Sequence, residues 1–170
     1  MLRWIGGFLR NALSIVGVWP IVKLLMRRRY LQQRFLERLL FSYDQTGPVV
    51  YINQYREAVD NIILKIRNFW PFEISLSGMA MNVVLDTRDC GTVVPKNSVI
   101  KLPRQGGTAQ VVFNALNLAT KDVTYVRQLC QEKSISCLTV RLSGNVHIRT
   151  FFDDFEIGVQ VSAYGMVSFV

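Results

Sequence analysis

The chain has 170 residues, half of them hydrophobic and only 19% charged, with a mean hydropathy of +0.22. That is room for one domain with a sizeable core and an appendage too apolar for water. The net charge of +8 is lopsided: Met1 to Leu36 hold seven basic residues and no acid, whereas the remainder has 13 basic and 12 acidic residues. A nucleic-acid-binding domain carries its basic stripe on the folded part; here the stripe adjoins the most apolar stretch, which leaves little footprint for RNA or DNA and points to anionic lipid head groups.

Residues 1–26 form the first element. Trp4 to Met26 read WIGGFLRNALSIVGVWPIVKLLM, which as a helix is about 34 Å long against a hydrocarbon core of about 30 Å. The side chains placed in the membrane are Trp4, Ile5, Phe8, Leu9, Leu13, Ile15, Val16, Val18, Trp19, Ile21, Val22, Leu24 and Leu25. Arg3, Arg10, Lys23, Arg27, Arg28, Arg29 and Arg34 are head-group or partner contacts. Lys23 can snorkel, but Arg10 is costly to bury unless it reaches the interface or a protein neighbour, and Pro20 kinks a helix. Three readings stay open: a tilted or kinked span, a monotopic or re-entrant helix with Trp4 and Trp19 among the head groups, and a mitochondrial presequence. If the segment spans, the cluster Arg27–Arg29 with Arg34 and Arg38 outweighs Arg3 and Arg10 and leaves the rest of the chain cytosolic. The localisation expected is the endoplasmic reticulum or another endomembrane, the alternative being the mitochondrial inner membrane.

Residues 27–47 follow as a basic amphipathic helix and linker. Tyr30, Leu31, Phe35, Leu36, Leu39 and Leu40 recur at helical spacing through residue 42, so this helix lies on the membrane or packs on the domain, until Thr46-Gly47-Pro48 ends it with turn chemistry.

Residues 48–170 read as the folded domain. From Val49 the apolar period changes to two: Ile62, Leu64 and Ile66; then Phe72, Ile74 and Leu76; then, after Gly78, Met79, Met81, Val83 and Leu85. Turns are expected at 86–89 with Gly91, at Gln105-Gly106-Gly107, at Ser143-Gly144-Asn145 and at Asp153-Asp154, and Val93 to Leu102 forms a run broken by Pro95. Further strands cover 109–113, 136–142, 146–151 and 156–167. Short alternating strands with regular turns predict a mainly β, antiparallel immunoglobulin- or fibronectin-like sandwich. One inserted helix interrupts them, with Thr120 as N-cap, Asp122 in the first turn, and Val123, Val126, Leu129 and Cys130 on one face, placed to plug an open end. Cys90, Cys130 and Cys137 make a poor disulfide framework and read as free thiols, a Cys130–Cys137 bridge remaining open in an oxidising lumen.

The order of Asn68, Pro71 and Phe72, then Gly91, then Leu102-Pro103-Arg104-Gln105-Gly106-Gly107, then Leu142-Ser143-Gly144-Asn145-Val146 resembles the late-embryogenesis-abundant type 2 domain, also called the water-stress-and-hypersensitivity domain. The resemblance covers about residues 60–167, with the family's tight Asn-Pro pair spread to Asn68-Phe69-Trp70-Pro71. It implies a fibronectin-like sandwich without catalytic residues, whose membrane-tethered relatives sit on endomembranes and have been considered lipid-handling or scaffolding modules.

No enzyme chemistry is nominated. His147 is the only histidine and sits within an alternating strand; no Gly-x-Ser-x-Gly motif is present, and Gly6-Gly7 and Gly106-Gly107 lack the setting of a phosphate loop. Asp153, Asp154 and Glu156 read as a solvated turn rather than a cation site, so no metal and no cofactor are assigned. Phe151, Phe152 and Phe155 either pack on the sheet end or form an exposed apolar tip. Phe69-Trp70-Pro71-Phe72 reads as core and bend. The function expected is a non-enzymatic membrane-anchored accessory or scaffolding protein. Its partners are anionic membrane lipids and a larger membrane protein. The alternatives are a lipid-binding or lipid-transfer module and an accessory subunit of a mitochondrial inner-membrane complex.

Overall fold

The computed structural model describes Arg34 and residues 37–151 and 154–169. The chain divides into two units, Met1–Glu37 and Arg38–Val170. In the first, Arg34 and Glu37 are helical and their side chains form an ion pair at 3.0 Å. The predicted membrane helix of residues 1–26 lies outside the described residues. No helix among the described residues is long and apolar enough to cross a membrane.

The second unit is mainly β with one short helix. In chain order it comprises β1 (Leu39–Tyr43), β2 (Val49–Ile52), β3 (Glu57–Asp60), β4 (Ile63–Asn68), β5 (Ile74–Leu85), β6 (Arg88–Val93), β7 (Val99–Leu102), β8 (Gly107–Val112) and β9 (Leu116–Asn117), then α1 (Thr120–Lys133), β10 (Cys137–Arg149) and β11 (Asp154–Ser168). One sheet has the order β1-β4-β8; the larger runs β6-β5-β10-β11-β2-β3-β9, with β7 also paired to β5. Neighbouring β1 and β11, and β7 and β8, bring the sheets together along both sides, giving a barrel-like fold.

Period-two patterning places the core. Leu64 and Ile66 of β4, Ile74, Leu76, Met81, Val83 and Leu85 of β5, and Val140, Leu142, Val146 and Ile148 of β10 have no accessible surface. Along β5 the buried positions are even-numbered up to Leu76 and odd-numbered from Met79. Such a slip would turn every later side chain to the wrong face. A bulge absorbs it: the register passes from Asn145↔Ala80 to His147↔Ser77, so Gly78 and Met79 together oppose Val146. Gly78 takes φ +58° there, a conformation that costs glycine little.

The structure corrects several expectations. The helical spacing through residue 42 fails at Leu39: the backbone is still helical at Arg38 but becomes strand β1, in antiparallel register with β4 from Leu39↔Asn68 to Tyr43↔Leu64. Pairing along the open edge of β4 overrides the periodicity. Ser143-Gly144-Asn145 is not a turn but the middle of the continuous β10. There glycine is required by close approach, since a Cβ at Gly144 would strike the Ala80 carbonyl oxygen and come within 3.0 Å of Met81 Sδ. The tight turn after β5 is confined to Asp86-Thr87, and 88–93 is strand. β2, β3 and β9 were not resolved by alternation, and β2 pairs parallel with β11, where an all-antiparallel arrangement was expected.

Helix α1 starts at N-cap Ala119 without a side-chain cap, Thr120 being its first residue instead of the N-cap. It ends at Ser134 in the left-handed region, whose backbone N–H reaches the Cys130 and Gln131 carbonyls. Its buried face is the predicted one, Val123, Val126, Leu129 and Cys130, with Asp122 added.

Candidate functional site

The registers gather one set of loops at one end of the β-domain. Leu39 pairs with Asn68 and Asn68 with Gly107. Ile74 pairs with Leu102, and Arg149 with both Ser75 and Asp154. The entry point Arg38, the loops 69–73 and 103–106, and the start of the β10–β11 connection therefore share an end.

Asn68 holds this end together. It is fully buried, and its Nδ2 donates to the carbonyls of Phe72 at 2.9 Å and Pro103 at 3.0 Å, while its Oδ1 accepts from the Trp70 N–H at 2.9 Å. Gln105 N–H donates to the Trp70 carbonyl at 2.8 Å, and Phe69 N–H to the Arg38 carbonyl at 3.0 Å. A buried amide that satisfies three loop groups makes the loops one unit.

On this frame sit aromatic rings interleaved with guanidinium groups. Trp70 stacks on Phe72 at 5.2 Å between centroids, and Phe72 meets Phe151 edge-on at 5.4 Å. Arg38 lies 5.0 Å above the Trp70 ring and Arg67 4.9 Å above Phe69, both within cation–π range. Phe69 is 45% exposed and Phe151 80% exposed. The Phe69–Phe72 segment is thus a bend, as expected, but a rim and not core. Arg104 is exposed on the adjoining loop 103–106, and Glu73 is exposed at the end of loop 69–73. What the sequence reading missed was the placing of Arg38 over Trp70 and of Arg67 over Phe69, the first of which joins residues far apart in the chain.

The other end is closed differently. There α1 is tied to the β5–β6 turn: Arg88 Nε lies 2.6 Å from Asp122 Oδ1, and the Tyr125 hydroxyl donates to Asp86 Oδ2 at 3.3 Å. On the outer face near this end, Tyr164 is 78% and Met166 70% exposed. Exposed Cys137 stands directly opposite Met166.

Of the sequence-predicted site residues, the thirteen membrane side chains from Trp4 to Leu25 lie outside the described residues, as do Arg3, Arg10, Lys23, Arg27, Arg28, Arg29 and Phe152. Arg34 is exposed on its helix, paired with Glu37. Of the proposed apolar tip, Phe151 is exposed, but Phe155 is buried, because position 155 points inward on β11 opposite Ile148. His147 Nε2 is 3.8 Å from Asp154 Oδ2, which also accepts from Arg149 Nε at 3.2 Å, so Asp154 belongs to an ion-paired strand end. Among the described residues, no three His, Cys, Asp or Glu side chains converge to hold a metal ion.

The three cysteines are free. Burial, helped by the Asp122 carboxylate, pushes the Cys90 thiol up to about 11, and burial also raises Cys130, with Cys137 adding to it. Raised thiols hold little of the nucleophilic thiolate at neutral pH. Two surface clefts lie elsewhere: one of about 310 Å³ lined by Gly78, Met79, Ala80, Val94, Pro95 and Ser98, and one of about 260 Å³ beside α1 lined by Arg127, Cys130, Gln131, Ile135 and Phe169.

No protein-family model matches the chain, and no curated protein does. Among solved structures, it is similar to the solution structure of a protein from Arabidopsis thaliana, at 7% identity over 77% of this chain and 80% of that one, with a TM-score of 0.45.

Proposed function

We propose that this chain is a non-enzymatic, membrane-anchored accessory protein whose β-domain docks a larger membrane-associated assembly that handles lipid. The anchor is the acid-free leader with its seven basic residues, joined to a charge-balanced β-domain. The observation that carries the docking role is the apolar group on the outer sheet face, where Tyr164 and Met166 stand exposed on neighbouring outward positions of β11. Exposed apolar groups of this kind mark interaction surfaces.

The finer fold assignment belongs to the same reading. Two sheets with inward-facing aliphatic rows support an immunoglobulin- or fibronectin-like sandwich, the parallel β2–β11 pair being its departure from that pattern. Kinship with the late-embryogenesis-abundant type 2 domain is supported by the meeting of two of its motif segments, since Asn68 bonds the Pro103 carbonyl and pairs with Gly107.

The lipid-binding alternative draws on the cleft beside α1, whose volume of about 260 Å³ falls just under the range of ligand pockets, about 300–1,000 Å³. Purification from native membranes in gentle detergent tests both readings. The docking role requires a protein that co-purifies stoichiometrically with the native chain and is lost with Met166→Glu. A native chain that is monodisperse, partner-free and fully stable would remove the docking role, whereas a stoichiometric co-purifying lipid would favour the alternative.

A further inference from the structure

We infer that the aromatic–arginine end of the β-domain is itself a lipid-contacting surface, one that rests on the head-group zone of an anionic bilayer and holds the strands upright on it. The inference rests on the anchoring proposed above and adds the face, the residues and the lipid chemistry.

Two independent observations converge on this end, which begins with Arg38, the first residue of the β-domain. The side chains here are of the interfacial kind: Phe69 and Phe151 are exposed, and Trp70 is half-buried beside them. Trp favours the boundary between head groups and acyl chains, and Phe beside it enters the apolar side of that boundary. The charge is also complementary. Among the described residues of these loops, Arg38, Arg67 and Arg104 are exposed and Glu73 is the exposed acid, while Asp154 is engaged by Arg149. Guanidinium groups beside aromatic rings bind phosphate bidentately while the rings sit in the apolar layer.

The orientation that follows separates two tasks. β11 runs from Asp154 at this end to Ser168 at the other, and at about 3.3 Å per residue Tyr164 and Met166 stand some 30–40 Å along it. The docking face is thereby presented away from the bilayer that the rim contacts.

The test uses the full chain in nanodiscs of phosphatidylcholine with and without phosphatidylserine, with acyl chains brominated near the head group. Trp70 is isolated by Trp4→Phe and Trp19→Phe, both outside the β-domain. With phosphatidylserine, Trp70 fluorescence is expected to be quenched, and loops 69–73 and 103–106 to exchange amide hydrogens more slowly than the Asp86-Thr87 turn. Arg38→Gln and Arg104→Gln are each expected to lower the docked-to-undocked ratio about fivefold, as for one basic residue at an anionic surface. Parallel variants retaining only Trp4 or only Trp19 report on the anchor. Quenching of these with none at Trp70 overturns the inference and leaves the anchor standing; no quenching at any of the three overturns both. Equal Trp70 quenching in both lipid mixtures overturns the anionic head-group assignment, and shielding of Trp70 by a co-purified protein overturns the lipid assignment itself.

Discussion

Asp122 Oδ1 accepts from Arg88 Nε at 2.6 Å, and the two ends of the pair are unequally placed: the carboxylate side keeps 3% of its surface and the arginine 32%. The bond joins the first turn of α1 to β6 at the end of the domain away from the aromatic rim. Removing one partner of a buried pair is costly because the other is left uncompensated, but Arg88 can turn toward water. Asp122→Ala is therefore expected to cost about 2–3 kcal/mol, and Asp122→Asn, which keeps an acceptor, less. Urea denaturation with an unchanged slope checks this; a loss below about 0.5 kcal/mol would show that the pair is merely a surface contact.

This bond also marks where sequence reading stopped. The buried face of α1 was legible because Val123, Val126, Leu129 and Cys130 recur at helical spacing, yet Asp122 read as an ordinary first-turn acid, since its partner lies 34 positions away. The change of phase between Leu76 and Met79 was legible, because alternation is a local property, but it read as a break between two runs at Gly78, where a bulge carries the single strand β5 through. Gly144 misled for the opposite reason: Ser-Gly-Asn has turn chemistry, and only the Ala80 carbonyl on the neighbouring strand shows why glycine stands there. β1 misled because Leu39 and Leu40 fit a helical stripe while their pairing partners, Asn68 and Arg67, are distant in sequence. For the candidate site, the rings of the rim were visible as Phe69-Trp70-Pro71-Phe72 with Arg67 just before them, but the guanidinium over Trp70 comes from Arg38, distant in sequence.

Asn68 is the residue on which the rim depends. Truncation to alanine strands the Phe72 and Pro103 carbonyls and the Trp70 N–H, all of which it now satisfies. Each buried polar group left unpaired costs about 1–3 kcal/mol, and loop relaxation toward water recovers part of that. Asn68→Ala is expected to cost about 3 kcal/mol and to speed amide exchange in loops 69–73 and 103–106 ahead of the α1 end. Uniform acceleration across the domain would argue against a local role.

Thiol chemistry tests the burial pattern. Exposed Cys137 is expected to alkylate first, and Cys90, pushed up to about 11 by burial and the Asp122 carboxylate, slowly until the pH approaches that value. Linkage gives a second readout. The folded state holds the Cys90 proton more tightly than the unfolded chain, whose thiol has its ordinary 9.0. Cys90 thus contributes stability that is fully present below pH 9 and is lost as the pH rises toward about 11. Cys90→Ala is expected to flatten that part of the stability profile. Peptide mass mapping of the alkylation order, with Cys90 ahead of Cys137, would contradict the placement.

Two glycines in the paired strands β10 and β11 make opposite predictions from the same chemistry. At Gly144 an added methyl meets the Ala80 backbone oxygen of β5, which cannot move without breaking the β5–β10 ladder. Overpacking against a soft side chain costs about 1–3 kcal/mol; against paired backbone, Gly144→Ala is expected to cost at least about 3 kcal/mol. At Gly158, opposite Asn145, the added methyl finds only Asn145 Oδ1 at 3.7 Å, an ordinary van der Waals contact. There the alanine restricts the unfolded chain without native strain, and Gly158→Ala is expected to stabilise by about 0.5 kcal/mol. The two substitutions measured side by side by chemical denaturation separate close backbone approach from glycine content: a similar change at both positions would mean that β10 does not press against β5 at Gly144.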